Sequence, residues 1–294
     1  MTTIEPAPSP AARPGIRVVR TRSDLRAALA VLPRPIGLVP TMGWLHPGHR
    51  SLMERARADN AATVATIFVN PRQFNEAADY QRYPRNEARD IAICEDEGVD
   101  LVFAPDVAEI YPPGFDTTVT VGAIARPLEG AARPGHLDGV ATVVAILFDL
   151  IGAEHAYFGQ KDAQQVMVIR QMARDLAIAT EVIACPTVRE ADGLALSSRN
   201  VHLTPAERAA APVLRRALLA ARAGWESGER SGKALRATMS AAIADEPLAI
   251  PAYVSVANGS TLAELDRLPD DGPVLLSLAV RFGPTRLIDN EPLP

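Results

Sequence analysis

Ile36-Gly37-Leu38-Val39-Pro40-Thr41-Met42-Gly43-Trp44-Leu45-His46-Pro47-Gly48-His49 is the stretch whose reading decides the fold. Its first four residues form a short apolar run, the pattern of a buried strand. Gly43 permits a tight turn after it. Pro47 and Gly48 stand where a helix begins, because proline at the first helical position lacks only an N–H that has no intrahelical partner. Residues 48–59 continue as an amphipathic helix with Leu52, Met53 and Ala56 inward. A strand that turns directly into a helix is half of a βαβ unit.

The unit repeats along the chain. Residues 63–69 (TVATIFV) are β-branched and nearly all apolar, as a strand covered on both faces must be. Residues 86–97 read as a helix, Gly98 as its cap and 99–103 as the next strand. Residues 138–151 read as a buried helix, 156–158 as a strand, 163–176 as a helix and 180–185 as a strand. A short helix over 23–30, capped by Ser23, precedes them all. This alternation predicts an α/β fold: a Rossmann-like, doubly wound parallel sheet with helices on both faces.

After Asn200 the texture changes. Thr204-Pro205-Ala206-Glu207 combines an N-cap, a first-turn proline and a capping-box glutamate. Helices are expected over 205–225 and 231–244, and strands over 252–257, 274–281 and 285–288. We expect a tail at 1–15, a Rossmann-like ligand-binding domain at 16–190, and a smaller α+β lid domain at 191–294.

Composition narrows the function. The chain has 294 residues, 48% of them hydrophobic, enough for a large core in two domains. A formal charge of −5 argues against nucleic-acid binding by bulk electrostatics. Two cysteines, Cys94 and Cys185, are too few for a disulfide framework or a structural zinc site, and both read as core residues. The longest apolar run, 140–151, is interrupted by Asp149 and is far below the ~20 residues of a membrane span. A cytoplasmic protein with no membrane or nucleic-acid partner is expected.

Ligands of open α/β sheets bind at the carboxyl ends of the strands, and the chemistry-bearing segments fall there. The start of the helix after Leu45 offers free N–H groups and a partial positive charge to phosphates. Gly48 leaves room for a nucleotide against the backbone, and His46 and His49, three apart, can face the same phosphates. Gly159-Gln160-Lys161-Asp162 follows a strand; Lys161 suits a phosphate and Asp162 ribose hydroxyls, although taken alone the segment reads more readily as a solvated turn. Leu196-Ser197-Ser198-Arg199-Asn200 lies at the domain junction. Its hydroxyls and guanidinium suit the β- and γ-phosphates, against the alternative of a polar hinge.

Asn70-Pro71-Arg72-Gln73-Phe74 follows the central strand, and Gln165 can converge with Gln73 on a polar substrate. Taken singly, such glutamines are more often surface residues. Arg133 in Arg133-Pro134-Gly135-His136 can hold an anionic ligand or lie in a solvated loop. Asp90, on a helix expected to be exposed near the site, can hold Mg²⁺ through water or serve as an ordinary surface carboxylate. His155 and His202 read as structural.

In this order, VPTMGWLHPGH, FVNPRQF, YPR, RPGHLDGVATVV, YFGQKDAQQ, TVREADGLALSSRN and the closing TRLIDN resemble the pantothenate synthetase (pantoate–β-alanine ligase) family over about residues 16–290. H-x-G-H alone marks only the nucleotidyltransferase superfamily; FVNPxQF and the SSRN segment narrow it. The resemblance implies an adenylate-forming ligase of pantothenate biosynthesis. The carboxylate of D-pantoate attacks the α-phosphate of Mg·ATP, releasing pyrophosphate; the β-alanine amine then attacks pantoyl adenylate, giving pantothenate and AMP.

It further implies catalytic roles for His46, His49, Lys161 and Arg199. ATP would contact Met42, Gly48, Gly159, Asp162, Val188, Leu196, Ser197 and Ser198. Pantoate and β-alanine would contact Pro40, Asn70, Gln73, Arg133, His136, Val143, Val144, Phe158 and Gln165. Asp90 matches a Mg²⁺-associated carboxylate, and the family implies a homodimer through the N-terminal domain. Ile146, Gln160 and Ala163 depart from residues frequent in the family, and none removes a phosphate contact. The rival readings are an adenylyltransferase for a phosphorylated substrate, which calls for further basic residues, and a catalytically silent nucleotide binder, which predicts damaged phosphate contacts.

Overall fold

The computed structural model describes residues 15–75 and 77–294, so the expected tail lies outside the described residues except for Gly15. Six strands form one wholly parallel sheet: β1 (Arg17–Val19), β2 (Ile36–Thr41), β3 (Ala62–Ile67), β4 (Leu101–Phe103), β5 (His155–Gly159) and β6 (Glu181–Cys185). Their order is β1-β4-β3-β2-β5-β6. The chain steps outward from β2 through β3 to β4, then returns to the other side of β2 for β5 and β6. The reversal between β2 and β5 opens a crevice at their carboxyl ends.

Helices cover both faces. Leu25 and Ala28 of helix Arg22–Leu29, the apolar side of His136–Ile151 and that of Ala163–Asp175 pack on one face with Ile36, Leu38, Val64 and Phe103. On the other face, Leu52, Met53 and Ala56 of helix Pro47–Asp59 and Cys94 of helix Glu87–Asp96 meet Val39, Ala65 and Val102. Strands β2 and β3 are mostly apolar because both faces are buried, their only polar residues being Thr41, Thr63 and Thr66.

The smaller unit is an antiparallel sheet of β7 (Ile250–Asn258), β8 (Val274–Phe282) and β9 (Thr285–Leu293). Helices Val213–Glu226 and Gly232–Ala244 share its core, with Leu218, Met239, Val256, Leu276 and Phe282 buried together. Thr204 and Glu207 form the expected capping box, and Gly98 takes the left-handed conformation expected after its helix.

Two expectations change, and one strand is added. The first helix is capped by Thr21, whose hydroxyl accepts from the Asp24 N–H, rather than by Ser23. The single helix expected over 205–225 is two, Pro205–Ala210 and Val213–Glu226, with Pro212 between them, because proline cannot donate the hydrogen bond that would continue the first. Strand β1, only three residues long, has too little periodicity to be read.

Candidate active site

The turn after β2 puts both histidines at a helix start. His46 is the N-cap of helix Pro47–Asp59, its Nδ1 accepting from the Gly48 N–H at 3.1 Å, while His49 Nδ1 accepts from the His46 N–H at 3.3 Å. Both Nδ1 atoms accept, so the ring proton of each neutral histidine resides on Nε2. The ring centroids are 4.0 Å apart. Burial, then the charge of Lys161, lowers His46 to about 4; burial, then His46 and Lys161, lowers His49 to about 3. At neutral pH both are therefore uncharged N–H donors, and the cations of the site are Lys161 and the arginines. A Cβ on Gly48 would lie 2.9 Å from His46 Cε1. The absence of a side chain there makes room for the His46 ring, while Gly48 itself borders the cavity described next.

Asp90 is also corrected. It is not an exposed carboxylate but is 1% exposed. Its Oδ2 accepts from the Trp44 N–H at 2.7 Å and its Oδ1 from the Leu45 N–H at 2.8 Å. Gly43, at φ +80°, is the only residue type that clears this carboxylate, since a Cβ would lie 2.8 Å from Oδ2. Asp90 thus clamps the two residues that lead into His46. Arg89 assists, donating to the Leu45 carbonyl at 2.8 Å and lying over the Trp44 ring.

Across the crevice, His46, His49 and Gly48 border one cavity of about 220 Å³ together with Gly159, Lys161, Asp162, Val188, Leu196, Ser197, Ser198 and Arg199. The structure therefore brings the expected phosphate-binding segments together. Lys161 Nζ lies 3.7 Å from Asp162, and Arg199 3.7 Å from Asp79. Ser197 caps the short turn Ser198–His202, accepting from the Arg199 N–H, and Tyr83 reaches Ser198 Oγ at 3.5 Å. The Val188 carbonyl accepts from the Leu196 N–H at 3.0 Å, closing the segment between them into a hairpin-like loop.

Pro40, Met42, Val143, Val144 and Phe158 make an apolar wall of the same cavity, with Gln165 at its edge. Gln73 Nε2 donates to Met42 Sδ at 3.0 Å. Asn70, expected among the substrate contacts, spends its whole amide on the protein. Its Nδ2 donates to Gln73 Oε1 and the Gly139 carbonyl, and its Oδ1 accepts from the Tyr111 hydroxyl and the Arg72 N–H. It fixes Gln73 while bordering the same cavity. The neighbouring glutamines divide the labour: Gln164 is consumed by the Glu129 N–H and the Ile124 and Pro127 carbonyls, leaving Gln165 to face the site.

Arg133 and His136 lie where this cavity meets a larger one of about 510 Å³ between the two sheets. Sequence reasoning missed what crosses that cleft. Arg286 of β9 makes a two-pronged ion pair with Glu129 at 2.7 and 2.8 Å, and the Tyr253 hydroxyl of β7 donates to the same carboxylate at 2.9 Å. Although burial opposes ionisation, Arg286 holds the Glu129 carboxyl below the usual range. Asp289 pairs with Arg189, and Asn290 donates to the Gln160 and Lys161 carbonyls. Arg286, Asp289 and Asn290 all come from TRLIDN, the one signal available in the sequence. His202, read as structural, also borders the larger cavity.

Comparison with known proteins agrees with this geometry. Residues 17–292 match the family model described as pantoate-beta-alanine ligase. The pantothenate synthetase of Roseiflexus castenholzii is 59% identical over 275 residues, covering 94% of this chain and 98% of its own. That of Chloroflexus aggregans is 58% identical, covering 94% and 99%. The crystal structure of pantothenate synthetase from Thermus thermophilus superposes with a TM-score of 0.88 at 48% identity, covering 94% and 99%. That of pantoate-beta-alanine ligase from Francisella tularensis, complexed with β,γ-ATP and β-alanine, gives 0.77 at 34% identity, covering 94% and 97%. Fold, site and sequence lead to one conclusion: the chain belongs to the pantoate–β-alanine ligase family.

Proposed function

We propose that the crevice between β2 and β5 performs the family's ATP-dependent joining of D-pantoate to β-alanine with the residues described above in the following roles. The observation that carries this assignment is the pair of uncharged histidines, 4.0 Å apart, bordering one cavity with Lys161, Ser197 and Arg199. Adenosine lies along Gly159, Asp162 and the Val188–Leu196 loop. The triphosphate meets Lys161, Ser197, Ser198 and Arg199. His46 and His49 aim Nε2–H at the α-phosphate, where negative charge grows as the pantoate carboxylate attacks and pyrophosphate leaves. Pantoate's two methyl groups rest on Pro40, Met42, Val143, Val144 and Phe158, and Gln73 and Gln165 orient its polar end.

In the second step the β-alanine amine forms a C–N bond with the acyl carbon. The C–O bond to the adenylate phosphate breaks and AMP keeps that electron pair; one proton leaves the β-alanine ammonium before attack and a second leaves the nitrogen as the amide forms, both passing to solvent. No side chain needs to act as a covalent nucleophile; alignment and charge suffice.

Magnesium enters as the companion of ATP. Asp90 does not fit a role as its ligand, because both carboxylate oxygens are buried against backbone N–H groups. No step is routed through the ion. Among the described residues no helix is long and apolar enough to cross a membrane, in keeping with a cytoplasmic enzyme.

This reading includes a homodimer through the six-stranded unit, where Val31 and Leu176 are exposed apolar residues, and a C-terminal lid that ATP draws inward. Sedimentation at a monomer's mass would remove the dimer, and scattering curves unchanged by ATP would remove the moving lid. The chemistry is tested by exchange of label between pyrophosphate and ATP. Exchange should require pantoate and proceed without β-alanine; exchange indifferent to pantoate would overturn the assignment.

A further inference from the structure

We propose that Arg189 and Asp289 are a positioning pair that fastens the segment from Val188 to Arg199 onto the smaller unit, so that β9 sets where Ser197, Ser198 and Arg199 meet the triphosphate. The inference rests on the reading of those three residues as partners of the β- and γ-phosphates. Arg189 itself borders neither cavity, so it acts through the residues it holds.

The segment has little regular structure of its own. Arg189 pairs with Ala195 across it, and Gly193, at φ +91°, makes its turn. A short two-stranded hairpin is marginal by itself, so the grip of its side chains decides where it sits. That grip is on the smaller unit. Leu194 joins the core formed by Leu218, Leu276 and their neighbours. Arg208, on helix Pro205–Ala210, donates to Asp192 and Glu190, each at 2.6 Å. Arg189 reaches Asp289 of β9 with both arms of its guanidinium, at 2.6 and 2.9 Å.

The two sets of ion pairs are unequal. Arg208 and its carboxylates stand partly in solvent, where such pairs contribute little. The Asp289 side chain is 1% exposed and that of Arg189 18%. Breaking a buried pair leaves one charge without its partner, which costs far more. Arg189 also donates to the Gly193 carbonyl at 3.1 Å, so one guanidinium ties the turn of the hairpin and its first strand to the same carboxylate.

Asp289 is coupled in turn to the opposite wall. Its Oδ1 accepts from the Asn290 N–H at 2.8 Å, and the Asn290 side chain donates to the Gln160 and Lys161 carbonyls at 2.9 Å. Consecutive residues of β9 therefore hold the two segments that bring cations to the triphosphate, Lys161 on one and Arg199 on the other. The β- and γ-phosphates leave as pyrophosphate in the first step. A pair that acts through Ser197, Ser198 and Arg199 must therefore matter to ATP, and not to AMP or to the attack of β-alanine on the adenylate.

The test compares Asp289→Asn and Arg189→Lys with the wild type. Asparagine keeps the shape but not the charge, and lysine keeps the charge but not the fork. Arg222→Gln, which loses an ion pair to Glu291 on the same strand, is the control. ATP and AMP are titrated by calorimetry without pantoate, and supplied pantoyl adenylate is turned over with β-alanine. Asp289→Asn and Arg189→Lys should each weaken ATP about tenfold and AMP less than about twofold, the scale on which residues remote from a ligand modulate its binding. Turnover of the adenylate should be unchanged, and Arg222→Gln should bind both nucleotides as the wild type does. Equal weakening of ATP and AMP, unchanged ATP affinity, or the same loss in Arg222→Gln would overturn the proposal. If Asp289→Asn fails to fold, Arg189→Lys, which keeps a cation opposite Asp289, decides. Wild-type protein that binds ATP no more tightly than AMP would instead refute the reading of Ser197, Ser198 and Arg199.

Discussion

The side-chain amide of Asn290, near the end of the chain, donates to the backbone carbonyl of Lys161 at 2.9 Å. The same Nδ2 reaches the Gln160 carbonyl at 2.9 Å. The turn that carries Lys161 is therefore held from outside its own sheet, by β9 of the smaller unit. Removing the amide leaves two half-buried carbonyls short of a donor, a loss of at most about 1–3 kcal/mol each in general. Asn290→Ala should lower the rate of pantoate-dependent pyrophosphate release about tenfold or more, with KM for ATP raised and KM for β-alanine unmoved. Equal changes in both KM values would mean that Asn290 serves folding rather than the placement of Lys161.

Asp90 anchors the entry to His46 through two backbone N–H groups. Asparagine can replace only one of the two acceptors and turns an N–H toward the other. Asp90→Asn should reduce kcat at least about tenfold, the scale on which small displacements of catalytic groups act, and leave the Mg²⁺ concentration for half-maximal rate unchanged. A shifted Mg²⁺ requirement would restore Asp90 as a metal-associated residue.

His46 and Lys161 touch the reacting phosphates in this account. His46→Ala and Lys161→Ala should each lose about 100-fold or more in rate, the usual loss for one transition-state donor. Circular dichroism and melting temperature should stay close to wild type. Near-normal turnover in either variant would remove that residue from the mechanism.

Three histidines of the site shape acid stability. His46, His49 and His136 are held near 4, 3 and 4, against an ordinary value of 6.5. Between those limits the unfolded chain binds protons that the folded chain refuses. Stability contributed by their neutral forms is therefore complete above about pH 6.5 and is lost as pH falls toward 4. His136→Gln should flatten the decline of melting temperature between about pH 7 and 4.5. A slope identical to wild type would contradict a neutral, buried His136.

How far the sequence carries this argument depends on the range of each interaction. His46, Lys161 and Ser197 were legible because each follows a recognisable strand or junction, and the topology of an open parallel sheet gathers such segments by rule. Asp90 was misread because one carboxylate on a helix carries no mark of which neighbour it faces; only the packing against residues 43–45 reveals that. That Asn70, at the cavity's edge, is also bonded to Tyr111 and Gly139 was not legible, because nothing local shows those distant partners. Glu129 and Arg286 meet across 157 residues, beyond any periodicity. The split at Pro212 is the opposite case, a local signal overshadowed by the Ala- and Leu-rich helix around it.

The central claim is that one crevice first activates pantoate with ATP and then waits for an amine. Pyrophosphate should be measured from enzyme mixed with Mg·ATP and D-pantoate, with β-alanine added afterwards. The account predicts a burst of about one equivalent per site, as a retained acyl adenylate requires, turning into sustained release once β-alanine is present. Folded, ATP-binding protein that releases no pyrophosphate on addition of pantoate, or releases it only when β-alanine is already there, would contradict it.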